Sequence, residues 1–267
     1  MSGPRFLTEP EPARGVALPV ADGIRRIVAK NPGPMTYHGT NTYLNEEAEG
    51  FSVLDPGPDD VAHVADVMAA TGGRIVRVLV SHGHGDHVGA LPALAAASGA
   101  AVVSAGKFGA ALADGDAVGG WTVLATPGHA PDHLCFARDG VLFSADHVMS
   151  FSSSVVIPPE GDMAAYMDGL RRLLARDDRL LLPGHGPPIT APHDFVAALL
   201  AHRLQREASI LALLREAPRR PAEIVAALYV PLDPRLARAA EASVTAHLIK
   251  LRAEGSSDER GGVWRAA

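Results

Sequence analysis

Residues His82 to His87 read His-Gly-His-Gly-Asp-His, which places three imidazoles and a carboxylate within one short stretch. Side chains of this kind are costly to bury unless something pairs with them, and a metal ion is the partner their chemistry suits. Imidazole and carboxylate donors without thiolates favour zinc and also accept iron or manganese. Gly83 and Gly85 are expected to let the backbone turn tightly, so that the side chains at 82, 84, 86 and 87 converge. A polar loop that merely contains three histidines is the plain alternative. The downstream chain weighs against it.

Three further donors stand where strands are expected to end beside small residues: His129 in Thr126-Pro-Gly-His, Asp146 after Val141-Leu-Phe-Ser, and His185 in Pro183-Gly-His-Gly. Counting donors gives two sites. His82, His84 and His129 are expected to hold one ion and Asp86, His87 and His185 a second, with Asp146 bridging the two. Seven protein ligands and a bridging hydroxide satisfy two Zn2+ ions, and such a hydroxide attacks an ester, thioester, lactone or phosphodiester. Asp86 and Asp146, the two carboxylates of the set, are the expected catalytic residues.

These donors need a scaffold of strand ends and turns. Arg74-Ile-Val-Arg-Val-Leu-Val80 reads as a buried strand, and Gly89 to Ser98 as a helix with proline in its first turn, so the cluster lies on a strand-to-helix turn. Strands are expected at 23–29, 40–44, 51–54, 101–104, 121–125, 134–137, 141–144 and 180–182, and helices at 59–71 and 163–175. Residues 1–19, with prolines at 4, 10, 12 and 19, read as an extended arm. Strand runs with helices between and after them predict an α/β/β/α sandwich over residues 1–202. From 203 to 267 the pattern changes to a small module. Helices are expected at 192 to about 217, at Pro221–Tyr229 and at Pro234–Glu254, and Gly261-Gly-Val-Trp264 supplies the wing of a winged helix.

Composition admits such a protein and narrows its partners. Hydrophobic residues make up 47% and charged residues 20% of the 267, ordinary values for a globular chain. No run is long enough to span a bilayer and no secretory signal opens the chain, so no membrane partner is expected. The single cysteine, Cys135, excludes an internal disulfide and points to the cytoplasm. Net charge is −6. Residues 1–202 hold 13 Lys and Arg against 22 Asp and Glu, whereas 203–267 hold 11 against 8, so an acidic body carries a mildly basic tail.

The set His82-x-His84-x-Asp86-His87 with His129, Asp146 and His185 resembles the metallo-β-lactamase-fold hydrolases over residues 20–200. Asn31-Pro-Gly-Pro-Met-Thr-Tyr-His-Gly-Thr-Asn-Thr-Tyr43, Ser144-Ala-Asp-His147, Pro183-Gly-His-Gly-Pro-Pro188, His202-Arg203 and the tail module are similar to the β-lactamase-like protein 2 group. That resemblance implies a dinuclear zinc hydrolase whose substrate is either single-stranded RNA or a small ester or thioester. The group includes a single-stranded-RNA endonuclease, and related thioesterases act in fungal polyketide synthesis. Metallo-β-lactamases of the commonest class place a cysteine among the second-site ligands. Here Asp146 stands and Cys135 fits no ligand slot, which puts antibiotic hydrolysis in doubt. A winged-helix regulator of nucleic acid with a vestigial metal site is the rival of another class, and the module also suits packing between two copies of the chain in a homodimer.

Other residues are weighed against plainer roles. Asp55 either holds a metal ligand from behind or forms the Asp-Pro-Gly turn. His133 and His147 are expected at the pocket, against a surface position for the first and packing for the second. Arg203 is expected to meet a substrate phosphate or carboxylate, against a solvated helix face, and Arg206, Arg219 and Arg220 join it if RNA is the substrate. Ser152-Ser-Ser154 is either a substrate contact or a flexible loop. His63, His193 and His247 fall in helical patterns and are expected at the surface, while Cys135 is expected to be an inert core thiol.

Overall fold

The computed structural model describes residues 4–267; the first three residues of the expected arm lie outside them. A seven-stranded sheet runs in sequence order from Leu18–Ala21 to Ala110–Ala111, antiparallel through Gly50–Leu54 and parallel from there on. A five-stranded sheet has Leu180–Pro183 at one edge, parallel to Val141–Ala145, followed by Leu134–Arg138, Trp121–Ala125 and Ala117–Val118. The short strands at 18–21, 110–111 and 117–118 are additions to the sequence reading.

Side-chain alternation along the strands separates the layers. On Leu134–Arg138, Leu134 and Phe136 point into the core between the sheets with Trp121, Phe143, Tyr43 and Leu79. Cys135 and Ala137 point the other way, onto helices Met163–Leu174 and Pro192–Glu216. Helices Val61–Thr71 and Leu91–Ser98 cover the outer face of the first sheet through Val67, Leu91 and Leu94. The result is the expected α/β/β/α sandwich.

The tail module follows the expected order. Pro221–Leu228 and Ala237–Ala253 pack with the end of Pro192–Glu216 around Ile224, Val244, Leu248 and Trp264. Strands Ser257–Arg260 and Val263–Ala266 form the wing, joined by Gly261 and Gly262, both at positive φ as a two-residue hairpin requires. The helix Pro192–Glu216 runs without a break through the division expected at 202/203. It gives Phe195, Val196 and Leu199 to the sandwich and Ile210 and Leu214 to the module, so the change of core falls along one continuous helix.

Two helix faces correct the sequence reading. His63, expected at the surface, is 3% exposed, whereas Val61, expected inward, is 79% exposed. The helix is rotated because Nε2 of His63 meets the Thr42 hydroxyl at 2.8 Å beneath the Asp55-Pro56-Gly57 turn, which satisfies its polarity. His247, also expected outside, is buried with Nδ1 3.2 Å from Glu207, because its helix packs on both Met163–Leu174 and Pro192–Glu216. His193 is exposed as expected. Cys135 is buried, and burial pushes its thiol up to about 12, beyond ordinary nucleophilic use. Among the described residues no helix is long and apolar enough to cross a membrane.

Candidate metal centre

The centre lies at one edge of the sandwich, where the ends of both sheets meet. Strand Ile75–Leu79 delivers Ser81 and His82, and the single turn Gly85–Val88 delivers Asp86 and His87. Val141–Ala145 ends at Asp146, and Leu180–Pro183 ends just before His185. Asn41 and Tyr43 of the first sheet tie down the loop that carries His185. The Asn41 amide group donates to the carbonyls of Pro183 and Gly186, both at 2.9 Å, the Tyr43 hydroxyl donates to Pro183 at 2.7 Å, and the Asn41 N–H donates to Gly184 at 2.8 Å.

The expected part of Gly83 and Gly85 is not what the backbone uses, since neither has positive φ and a Cβ at Gly85 would meet nothing. The close approach is at Gly184 instead, where a Cβ would stand 2.3 Å from Asp146 Oδ1 and 2.8 Å from His87 Cε1. Any side chain there displaces the carboxylate.

The donors fall into two groups. His82, His84 and His129 bring one nitrogen each to a common point, and Asp86, His87 and His185 bring their donors to another, with the atoms of each group within 4.8 Å of one another. Asp146 lies between them, with Oδ1 3.5 Å from His87 Nε2 and Oδ2 3.6 Å from His129 Nε2 and 3.4 Å from His185 Nε2. His87 Nε2 and Asp146 Oδ1 are buried with no hydrogen-bond partner. Bare buried donors converging in this way fit divalent cations, and hydrogen bonding within the protein does not satisfy them.

Asp55 settles two of the ring tautomers. Its carboxylate accepts from the Ser81 N–H at 2.8 Å, from the Ser81 hydroxyl at 2.6 Å and from His87 Nδ1 at 2.8 Å. Because the Ser81 proton goes to Asp55, the hydroxyl oxygen is left to accept from His82 Nδ1 at 2.9 Å. Both rings therefore keep hydrogen on Nδ1 and turn Nε2 to the centre, the orientation in which a histidine held from behind can ligate. The Val155 carbonyl does the same for His129 at 2.6 Å. The residue that the sequence left between turn former and support is both: Asp55 sits at φ 51° in the turn and holds His87 directly and His82 through Ser81.

Electrostatics divides the groups in the same way. Burial, together with the neighbouring rings His87 and His133, drives His82 well below the usual histidine value. Burial also works against a proton on His87 and His185, yet Asp146 raises both, His185 to about 9. Asp86 is brought down to about 2 because His185 and His87 outweigh its burial. Protons on this second group stand where a cation would, so cation binding there releases them.

The remaining expected site residues separate. His133 does not line the pocket: it is 1% exposed, stacks 5.1 Å behind His82 and takes Nδ1 to the Thr126 hydroxyl at 2.9 Å. His147 is fully buried against Tyr166 and Gly169, which matches the packing alternative. Arg203 is buried but borders a cavity beside the centre, together with Ser152–Ser154. Sequence reasoning did not single out Ser81, Asn41, Tyr43 or Val155. The last acts through its carbonyl, which leaves no trace in residue type.

The centre opens into a cleft of about 520 Å³ with Met35, Val155, Ile157 and Glu160 on its rim. Comparison with known proteins agrees with this architecture. Residues 35–119 match the metallo-beta-lactamase superfamily, and residues 221–264 match the beta-lactamase associated winged helix domain. A beta-lactamase-like protein 2 homolog of Drosophila melanogaster is 30% identical over 88% of this chain and 90% of its own. An atrochrysone carboxyl ACP thioesterase of Aspergillus chevalieri is 33% identical over 72% of this chain and 65% of its own. The crystal structure of a beta-lactamase domain protein from Burkholderia ambifaria superposes with a TM-score of 0.85 at 25% identity, covering 96% of this chain and 95% of that one. Another solved chain, in a di-iron-bound form, covers 62% of this chain and 94% of its own with a TM-score of 0.55 at 28% identity. The chain belongs to the metallo-β-lactamase superfamily, in the β-lactamase-like protein 2 group that carries a C-terminal winged helix.

Proposed function

We propose that the protein is a dinuclear metal-dependent hydrolase of small acyl esters or thioesters. The observation that carries this reading is the position of Asp146, whose Oδ1 stands beside His87 and whose Oδ2 stands between His129 and His185, so that one carboxylate faces two donor groups that open onto a mostly apolar cleft. His82, His84 and His129 would hold one ion and Asp86, His87 and His185 the other, with Asp146 shared; two Zn2+ suit the donors, and iron or manganese are the other occupants they accept. Bound divalent ions supply Lewis acidity and activation of water near neutral pH.

The chain's own residues do the rest. Asp55, Ser81 and the Val155 carbonyl take the Nδ1 hydrogens of His87, His82 and His129, which orients Nε2 of each ring to the centre. Met35, Val155 and Ile157 on the rim of the cleft leave an apolar surface for the acyl group. The thioesterase among the relatives favours the same bond class. Against RNA stands the state of three of the four arginines expected to hold phosphate. Arg203 is buried, Arg206 lies over the Tyr229 ring at 4.0 Å, and Arg219 donates to Leu213 and pairs with Glu216. A buried lone thiol suits the cytoplasm as the place of action.

The test is a screen of protein loaded with zinc, iron or manganese against thioesters, lactones, carboxylic esters and labelled single-stranded RNA, with metal content measured in parallel. Turnover of thioesters or esters at two metal equivalents supports the proposal. RNA as the sole substrate, or saturation at one equivalent, overturns it.

A further inference from the structure

Beside the metal centre a second cavity, of about 200 Å³, lies between the sandwich and the winged helix. It shares His129 and Asp146 with the centre, so whatever occupies it is continuous with whatever is bound there. Met149 lines the sandwich side. The opposite wall comes from the winged helix, through Tyr229, Leu232, Leu236 and Ala239, all only partly buried. An apolar wall around an open cavity gains by covering apolar surface of a ligand.

One feature of the cavity is not apolar. Arg203 is 3% exposed, its Nη2 donates to the Ser154 carbonyl, its guanidinium lies 5.1 Å from the Tyr166 ring centre, and its Nε has no partner. Among the described residues no carboxylate pairs with it: Glu207, one turn further along the same helix, is taken by His247 at 3.2 Å and Lys250 at 3.0 Å. Its neighbour His202, also on the cavity, is brought down to about 4 by burial and by the charges of Arg203 and Arg206, and its Nδ1 is buried without a partner. A buried cation without a paired acid is expensive unless an anion arrives to pair with it. A single planar guanidinium, without a lysine or a second free arginine beside it, suits a carboxylate better than a phosphate.

We infer that this cavity is the acyl subsite of the hydrolase, and that it takes an apolar acyl chain ending in a carboxylate, which Arg203 holds. The inference rests on the acyl-hydrolase reading, and it specifies the substrate as the thioester or ester of an ω-carboxy acid. It makes the winged helix a wall of the substrate site.

Calorimetry on metal-free protein separates the subsite from catalysis. Octanoate is expected to bind about tenfold or more tightly than octanol, since the two differ only in the charged end. Arg203→Gln should erase that difference and leave octanol binding in place, Arg203→Lys should restore part of it, and Ala239→Phe should weaken both ligands about tenfold or more by filling the cavity. If Arg203→Gln does not fold, the wild-type comparison decides alone. Equal binding of octanoate and octanol, or indifference of both to Ala239→Phe, overturns the inference. On metal-loaded protein the ω-carboxyoctanoyl thioester should show a lower KM than the octanoyl thioester. If neither thioester is turned over while octanoate binds as expected, the hydrolase reading fails and the anion-tipped cavity stands. If both are turned over with equal KM, the hydrolase reading stands and this inference fails.

Discussion

At the metal centre every buried charge has a counterpart close by: His87 lies 2.8 Å from Asp55 and 3.5 Å from Asp146, and His185 lies 3.2 Å from Asp86. At the junction with the winged helix Arg203 is buried and His202 half-buried, with no acid paired to either among the described residues. The two regions touch through His129 and Asp146. One is a set of converging histidines and aspartates at strand ends, with His87 Nε2 and Asp146 Oδ1 left without a hydrogen bond. The other is a lone cation on a helix, facing apolar side chains from a separate core. A cation completes the first and an anion the second, so a substrate with a reactive carbonyl at one end and a carboxylate at the other matches both.

Removing the shared carboxylate breaks the first region most severely. Asp146→Ala should lower turnover on the order of a thousandfold or more, since it takes away the group facing both donor sets. Metal content should fall below two equivalents, while circular dichroism stays unchanged. Near-normal turnover, or two retained equivalents, would remove Asp146 from its place between the sites.

Next in size is the support behind the ligands. Asp55→Asn keeps the volume but sets an amide N–H against protons that Asp55 now accepts from Ser81 and His87. Metal affinity, measured by competition with a chelator, should drop about ten- to a hundredfold, as losses of such outer partners do. Unchanged affinity would mean that the turn alone, and not the relay through Ser81, fixes these rings.

The junction has its own sensitivity, to acid. Burial brings His247 down to about 4, against an ordinary histidine value near 6.5. The folded state therefore keeps His247 neutral while the unfolded chain takes up a proton, so stability is full above about pH 6.5 and is lost as pH falls toward 4. The loss reaches about 3 kcal/mol at the lower end. Glu207, lowered by His247 and Lys250 against its burial, adds a loss below its unfolded value of 4.5. Thermal melts from pH 7 to 4 should show this decline, and His247→Gln should flatten it. A wild-type melting temperature constant over that range would contradict the assignment.

The residues at the metal centre were legible because chemistry restricts their types. Histidine and aspartate at strand ends have few other reasons to cluster, and short β-branched runs bounded by glycine mark the strands that carry them. The support was less legible. Asp55 also makes a good turn former, and Val155 acts through a backbone carbonyl that any residue supplies. The burial of His63 and His247 escaped because periodicity finds apolar faces, whereas each of these rings is buried by one polar partner supplied from a distant element, Thr42 and Glu207. The cavity at Arg203 was out of reach for a similar reason, since its walls come from two cores that only the folded chain brings together.

The smallest expected effect concerns the arginines of the tail, and it can invert the comparison. Their clustering at the junction with the basic module suggested a phosphate-binding surface, yet Arg206 donates to the Leu228 carbonyl at 3.0 Å over the Tyr229 ring, and Arg219 lies 3.3 Å from Glu216. Side chains engaged in this way have fewer free donors for a polyanion. The double substitution Arg219→Ala and Arg220→Ala should change stability by no more than about 1 kcal/mol, the scale of exposed ion pairs. It should leave both the affinity for a single-stranded oligoribonucleotide and its salt dependence essentially unaltered in a filter-binding titration. If the log–log salt slope instead falls by about 0.7 for each arginine removed, these side chains hold phosphates in solution. The unpaired Arg203 would then be the inner end of a nucleic-acid path, and the acyl reading of the junction would give way to the nuclease one.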